Sequence, residues 1–332
     1  MTRSVLLVGC GNIGSRILQA LAKMRPSVVG GPVTIDIVDP HPNTDQLVRE
    51  RLAQCEFVSD GAGGIAATVS VRSELPHSIS HDLAIVATTS PPRAKLIEAI
   101  LERGTPRRML LEKFLFQEPD EYERIEVRLA RAGVDTYVNT PRNAWPDYLS
   151  LKSKLASEGP VDMHFRAVDF GLASNAIHFV ELYAFLTDAA VSDIDGSDLR
   201  GGLDSKRSGF RELAGVLRGR GRSGGSLTIT CDLEKARPQV VGVSNATAQF
   251  RIDETNQTLE SWSAENEWRY RREPFHVVLM SELSELCEQL VTGMPISLPK
   301  FATSSAHHLA LIRAFNSVFL EPGAGPSRCP IT

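Results

Sequence analysis

Residues 4–14 read Ser4-Val5-Leu6-Leu7-Val8-Gly9-Cys10-Gly11-Asn12-Ile13-Gly14. The apolar run before Gly9 suits a strand buried in a parallel sheet. After it, Ile13, Ile17, Leu18 and Leu21 share one face of a helix over residues 12–24. Between the two lies Gly-x-Gly-x-x-Gly. Gly9 allows a tight turn, Gly11 lets backbone approach a pyrophosphate, and Gly14 lets helix and strand pack closely. The helix N-terminus, with the amides of Asn12 and Ile13, turns donors and a positive dipole end toward phosphate. The pattern alone is common, so its context carries the weight. A second strand, VTIDIVD over residues 33–39, ends on Asp39, 25 residues past Gly14. That is slightly beyond the usual ~20; the loop at Gly30-Gly31-Pro32 absorbs the difference. An acid at a strand end accepts hydrogen bonds from ribose hydroxyls and repels a 2′-phosphate. No arginine follows Asp39 before Arg49, so the reading is NAD in preference to NADP. Asp36 lies inside the strand pattern and is the competing acid.

Outward from there, strands and helices alternate. Strands are expected near residues 66–71, 83–87, 108–111 and 134–138, and helices near 44–53, 90–103 and 119–132. Ser90 and Pro91 mark a helix start and Gly104 its end. Six strands alternating with helices imply a doubly wound parallel sheet. After residue 140 the character changes. Residues 161–170, 227–232, 240–253 and 258–262 read as strands with no helix among the last three, which points to a largely antiparallel, open-faced sheet. Helices are expected over 175–186, 275–291 and 302–319. The fold class is therefore α/β, a Rossmann domain over residues 1–140 followed by an α+β substrate and oligomerisation domain over 141–332. The Gly- and Pro-rich tail over 322–332 is expected to be poorly ordered.

Composition narrows the function classes. The chain has 332 residues with 36 basic and 40 acidic side chains, a formal net charge of −4. That argues against a nucleic-acid coat protein. No window approaches the ~18–20 apolar residues of a membrane span. Five scattered cysteines without Cys-x-x-Cys spacing imply neither a disulfide framework nor a zinc site, and reduced thiols in a cytoplasm are expected. His77 and His81 lie four apart, but Pro76 and polar neighbours argue against a shared helix, so no metal site is expected. His307 and His308 read as surface or packing residues.

Three segments in order carry a family resemblance. They are Gly9 to Gly14, residues 84–92 (AIVATTSPP), and Leu110-Leu111-Glu112-Lys113 at the end of the fifth strand. The chain resembles the glucose–fructose oxidoreductase/inositol dehydrogenase/rhizopine-catabolism (Gfo/Idh/MocA) family. Members typically carry Glu-Lys-Pro at the third place, where this chain has Glu112-Lys113-Phe114. Residues 142–155 resemble the segment that opens the family's second domain, and residues 174–181 stand where it has Asp-x-Gly-x-His-x-x-Asp. The resemblance implies that Lys113 is the catalytic lysine and His178 the active-site histidine. Ser174 replaces the first aspartate and Glu181 stands for the second. It implies Thr88, Ser90 and Glu112 beside the cofactor, and Arg142, Asn175 and Glu181 with Lys113 and His178 around the substrate. The implied activity is NAD-dependent oxidation or reduction of a hydroxyl-bearing carbon in a sugar, sugar nucleotide or cyclitol. Separately, the strands over 227–262 have too few helices to cover both faces, so one face is expected on a partner subunit, giving a homodimer or homotetramer.

The residues support part of this on their own. Strand ends on the carboxyl side of a parallel sheet face the ligand crevice. Glu112 and Lys113, being adjacent, point to opposite faces. One can anchor backbone while the other takes a proton from a substrate hydroxyl. His178, on an apolar helix, is either a packing residue or a group on the reacting oxygen. Asn175, three residues earlier, shares its face. Residues 206–222 hold six basic side chains, Lys206, Arg207, Arg211, Arg218, Arg220 and Arg222, against Glu212. They read as a loop, either solvated or clamping a phosphorylated sugar. Two alternatives stay open: an imine or amino-acid dehydrogenase on the same fold, and a non-catalytic NAD-binding regulator.

Overall fold

The computed structural model describes residues 2–55, 67–155, 159–234, 238–320 and 328–332. The loop expected at 61–64 and most of the carboxyl-terminal tail lie outside them. The chain divides into two compact units. One comprises Met1–Phe116, Glu123–Asn139 and Val278–Phe301; the other comprises Gln117–Tyr122, Thr140–Val277 and Ala302–Thr332. Val278–Phe301, a sequence neighbour of the second sheet, thus belongs with the first.

The first unit holds six strands, β1 (Arg3–Val8), β2 (Val33–Val38), β3 (Ala67–Arg72), β4 (Leu83–Val86), β5 (Arg108–Glu112) and β6 (Asp135–Asn139). They pair in parallel in the order β3-β2-β1-β4-β5-β6. Successive helices are α1 (Asn12–Ala22), α2 (Pro26–Val29), α3 (Thr44–Ala53), α4 (Ser90–Arg103) and α5 (Pro119–Ala132). Strands buried on both faces read as continuous apolar runs, and β1 and β4, at the centre of the sheet, do so. Val5, Leu6 and Leu7 are wholly buried, as are all four residues of β4. Each such side chain contributes roughly 1.5–3 kcal/mol through burial. The strand order reverses at β1, between β2 and β4, and a crevice opens at the carboxyl ends of strands at such a point.

The second unit continues with α6 (Pro146–Leu155), β7 (Asp162–Val168), α7 (Leu172–Thr187), β8 (Val191–Asp204), β9 (Arg211–Gly221), β10 (Ser226–Asp232), β11 (Val240–Ser244), β12 (Ala248–Asp253), β13 (Thr258–Ser263) and β14 (Arg271–Pro274). Its eight strands run in the order β14-β13-β12-β11-β7-β10-β9-β8. All pair antiparallel except β7 with β10. Along β7, Met163, Phe165 and Ala167 are buried while Asp162, His164 and Arg166 are exposed. The Phe165 ring stacks on Phe179 of α7 at 3.5 Å between centroids, so the inner face carries that helix. The chain closes with α8 (Ser284–Thr292) in the first unit and α9 (Phe301–Phe319).

Several expectations are corrected. Most of the basic stretch is no loop: Lys206 and Arg207 lie in the turn before it, but Arg211–Gly221 is a strand, with Leu217, Gly219 and Gly221 inward and Arg218 and Arg220 outward. Its basic residues recur every second position because they form one face. Residues 240–253 form a hairpin, not one strand, and Asn245 Oδ1 accepts the amides of Thr247 and Ala248 at its turn. The helix expected over 275–291 begins only at Ser284. Thr89 precedes α4 in extended conformation, and Ser90 is its first helical residue rather than its cap. Of the tail, residues 328–332 are packed. Cys329 and Ile331 are wholly buried, and the Cys329 amide donates to the Gln117 carbonyl. His307 and His308 are both core residues. All five cysteines are buried and free. Among the described residues, no helix is long and apolar enough to cross a membrane, and no three His, Cys, Asp or Glu residues gather as a metal site.

Candidate functional site

In the first unit the glycine loop leaves β1 with Gly9 at φ +89°, a region open to glycine at little cost. A Cβ at Gly14 would lie 2.0 Å from the Gly9 carbonyl oxygen, so turn and helix touch there. Gly11 behaves differently. A Cβ built on it meets nothing within 4 Å, and no side chain caps α1. The loop therefore presents an open cradle over a helix N-terminus. Asp39 leaves β2 beside it. Its Oδ2 accepts the Cys10 amide at 2.7 Å and its Oδ1 the His41 amide at 2.9 Å. Both bonds aim the carboxylate at the loop. Burial, with the Asp39 charge next, pushes the Cys10 thiol up to about 11. Asp36 is engaged elsewhere, bonded to Ser70 and 3.1 Å from His81 Nε2. Burial opposes its ionisation, but those bonds and the charges of His81 and Arg72 hold its carboxyl below the usual value.

In the same sheet β4 pairs with β1, and β5 lies beyond it, paired with β4. Thr88 packs on the glycine loop, since a Cβ at Gly9 would come within 2.9 Å of Thr88 Cγ2. Ser90 is wholly buried. Glu112, the last residue of β5, is buried and accepts from Asn139 Nδ2 on β6. That bond joins two side chains across β5 and β6. Lys113 is partly exposed, whereas Phe114, Leu115 and Phe116 are wholly buried. The Lys113–Phe114 peptide bond is cis. Phe114, wholly buried, stands where the resembling family carries proline.

In the second unit, α7 carries the residues expected around a substrate. His178 is partly exposed. Asn175 donates to the carbonyls of Phe170 and Gly171, at 2.7 and 3.1 Å, and so ties down the chain entering the helix. Glu181 is only 1% exposed and faces His307, whose Nδ1 lies 3.2 Å from Glu181 Oε1. His307 Nε2 accepts the Val191 amide at 3.2 Å. Arg142 forms a two-pronged bond to Glu254, Nε to Oε1 at 2.8 Å and Nη2 to Oε2 at 2.6 Å. Its guanidinium lies 4.6 Å from the Phe179 ring centroid and 5.2 Å from that of Trp145. Tyr148 donates to the same Glu254 oxygen at 2.8 Å. Burial disfavours the Glu254 charge, yet Arg142 and Tyr148 hold its carboxyl below the usual range, and burial beside Glu254 drives the Tyr148 hydroxyl well up. Arg142, Asn175 and Glu181, expected at the substrate, are thus engaged with the unit's own interior.

Three residues that sequence reasoning passed over take part. Glu212, from the strand read as a loop, accepts the Ala173 amide at 2.9 Å and the Ser174 hydroxyl. Its carboxylate stands at the N-terminus of α7, where the dipole favours negative charge. A carboxylate therefore adjoins Ser174 although position 174 itself lacks one. Glu254 is the second residue, and Arg93 the third. Arg93 is wholly buried, with its fork on the carbonyls of Thr88, Phe114 and Leu115. An arginine two residues past Pro91 on a helix is the sole sequence signal for it.

Comparison with known proteins agrees with this architecture. Residues 3–140 match the family model described as oxidoreductase family, NAD-binding Rossmann fold (GFO_IDH_MocA). No curated protein matches the chain by sequence. Among solved structures, the UDP-N-acetylglucosamine 3-dehydrogenase GnnA of Acidithiobacillus ferrooxidans is 12% identical, with a TM-score of 0.65 over 96% of this chain and 98% of that one. An oxidoreductase of Agrobacterium radiobacter, in complex with NAD+, L-tartaric acid and magnesium, is 13% identical, with a TM-score of 0.63 over 96% and 95%. A super-repressor mutant of Gal80p from Saccharomyces cerevisiae is 12% identical, with a TM-score of 0.66 over 96% of each chain. At such identities the likeness is one of fold.

Proposed function

Since residues 3–140 belong to the Gfo/Idh/MocA oxidoreductase family, we propose that the protein is an NAD-dependent dehydrogenase acting on a hydroxyl-bearing carbon of a sugar, sugar nucleotide or cyclitol. The observation that carries the reading is the open cradle at Gly11 with the Asp39 carboxylate fixed on the Cys10 amide. Those groups fit a dinucleotide. Gly9, Gly11 and Gly14 with the amides of Asn12 and Ile13 would hold its pyrophosphate, and Asp39 its ribose hydroxyls. Thr88, Ser90 and Glu112 shape the neighbouring strand exits. The bound nicotinamide supplies the hydride donor or acceptor.

Lys113 takes the proton from the substrate hydroxyl, or returns it in reduction, and His178 polarises the same oxygen. Each of the two side chains is partly exposed in its own unit, which supports its role. The test has two stages. NADH fluorescence titration establishes cofactor binding, and a panel of sugars, sugar nucleotides and cyclitols is then screened for hydride exchange with bound NADH. Binding together with exchange on a panel member supports the dehydrogenase.

A second reading, a nucleotide-binding regulator without turnover, is favoured by Ser174 standing where the family carries aspartate. Gal80p, named a transcriptional regulator in its Kluyveromyces form, shares the fold. Tight NADH binding with no exchange on any panel member selects that reading.

A further inference from the structure

Arg93 sits in the first turn of α4, wholly buried, and never releases its proton. One guanidinium nitrogen donates to the carbonyl oxygens of Phe114 and of Leu115, the latter at 2.9 Å, and the other donates to the carbonyl of Thr88. A buried charge is tolerated where such bonds surround it, and charge-assisted bonds to carbonyls are the stronger kind. The two acceptor loops are the exits of β5 and of β4. Thr88 is also the residue packed on Gly9, its amide nitrogen 3.0 Å from where a Gly9 Cβ would lie. One planar fork therefore joins the glycine loop, by way of Thr88, to the segment that follows Lys113. On its other side Lys113 is held by Glu112, which is bonded to Asn139.

We propose that Arg93 is a positioning residue, which fixes the Lys113 backbone relative to the cofactor loop by tying the β4 and β5 exits together. The proposal rests on the reading of Lys113 as the proton carrier. A lysine at position 93 keeps the charge but not the fork, because an ammonium is a single point with no planar spread.

Hydrogen exchange read by mass spectrometry on the full chain tests the tie directly. Residues 88–90 and 113–116 should open together at one slow rate, and NADH should slow both to the same extent. In Arg93→Lys both should exchange about tenfold faster, with β1 and the second unit unchanged. On whichever panel substrate turns over, Arg93→Lys should lower kcat by ~10- to 100-fold, as a small misplacement of a reacting group does. KM and NADH affinity should stay within about threefold, a split that general destabilisation would not produce. Independent opening of the two segments in the wild type overturns the proposal, as does an Arg93→Lys variant with wild-type kcat. If Arg93→Lys fails to fold, the wild-type exchange pattern decides: protection of 88–90 alone by NADH overturns the tie. A Lys113→Met variant that retains turnover sinks the proton-carrier reading instead, and the exchange data still report on the loops.

Discussion

The Asp39 carboxylate accepts the Cys10 amide at 2.7 Å, so the acid proposed to read the ribose is fastened to the loop proposed to hold the phosphates. The two cannot drift apart without breaking a charge-assisted bond. Cofactor choice is accordingly expected to be sharp. NAD(H) should bind at least about tenfold more tightly than NADP(H), or ~1.4 kcal/mol. Asp39→Ser should erase most of that margin, chiefly by weakening NAD(H). Calorimetric titration of both cofactors checks this, and a tenfold preference for NADP(H) in the wild type refutes it.

Lys113→Met keeps much of the side-chain volume and removes the ammonium group. Turnover should fall by ~10²–10⁴, the ordinary worth of a general acid–base group. Cofactor affinity should remain within a few-fold. On the proposed roles, His178→Asn should cost less, and the double variant should lose less than the product of the two. A deuterium isotope effect on the wild type first shows that the chemical step limits the rate. Unchanged turnover in Lys113→Met would then assign the proton to another residue.

Glu254 gives the second unit an acid-sensitive stability. Its folded pKa lies below the ordinary 4.5, so its contribution is complete above that value and fades as pH falls through the lower folded pKa. Glu254→Ala leaves the Arg142 guanidinium buried without its partner. The cost should be about 3–5 kcal/mol, read as a fall in Tm on the order of 10 °C. Scanning calorimetry at pH 7 and pH 3 tests both points. The gap between wild type and Glu254→Ala should narrow at the lower pH, and a gap independent of pH contradicts the ion-pair account.

Assembly follows from the outer face of the eight-stranded sheet. His164, Arg166, Gln249 and Arg251 are exposed on its middle strands, opposite the face that holds Phe165 against α7. A dimer or tetramer covering this face is expected. Light scattering at micromolar concentration should report at least twice the 36.3 kDa chain mass, and Arg251→Glu should weaken the assembly. A monomeric wild type rules the expectation out.

How far the sequence could be read depended on the range of the signal. The parallel sheet was legible because its buried strands are unbroken apolar runs and its first turn is marked by glycines. The strand Val191–Asp204 was not. Its Asp- and Gly-rich sequence and three shifts of register break the alternation that marks a strand. Arg211–Gly221 was misread because its charges outweighed its period of two. At the site, the glycine loop and Asp39 were legible as local patterns with known spacing. The partners of Ser174 and Arg142 lie 38 and 112 positions away, so only the fold reveals Glu212 and Glu254. Arg93 was invisible for a related reason: a guanidinium that bonds carbonyl groups leaves no trace in the side chains of its partners.

The contrast between Gly11 and Gly14 decides which substitution can interrogate the cradle. Alanine at 14 would drive a methyl group to 2.0 Å from the Gly9 carbonyl, so it ruptures the turn whether or not a ligand ever arrives. Lost affinity in that variant would be uninformative. Alanine at 11 enters empty space, on an extended backbone with a negative φ of −69°. The apo protein should tolerate it with an unchanged melting curve, so whatever binding it abolishes measures crowding of the ligand alone. Position 11 is thus a steric gauge of the site, and position 14 only of the scaffold beneath it.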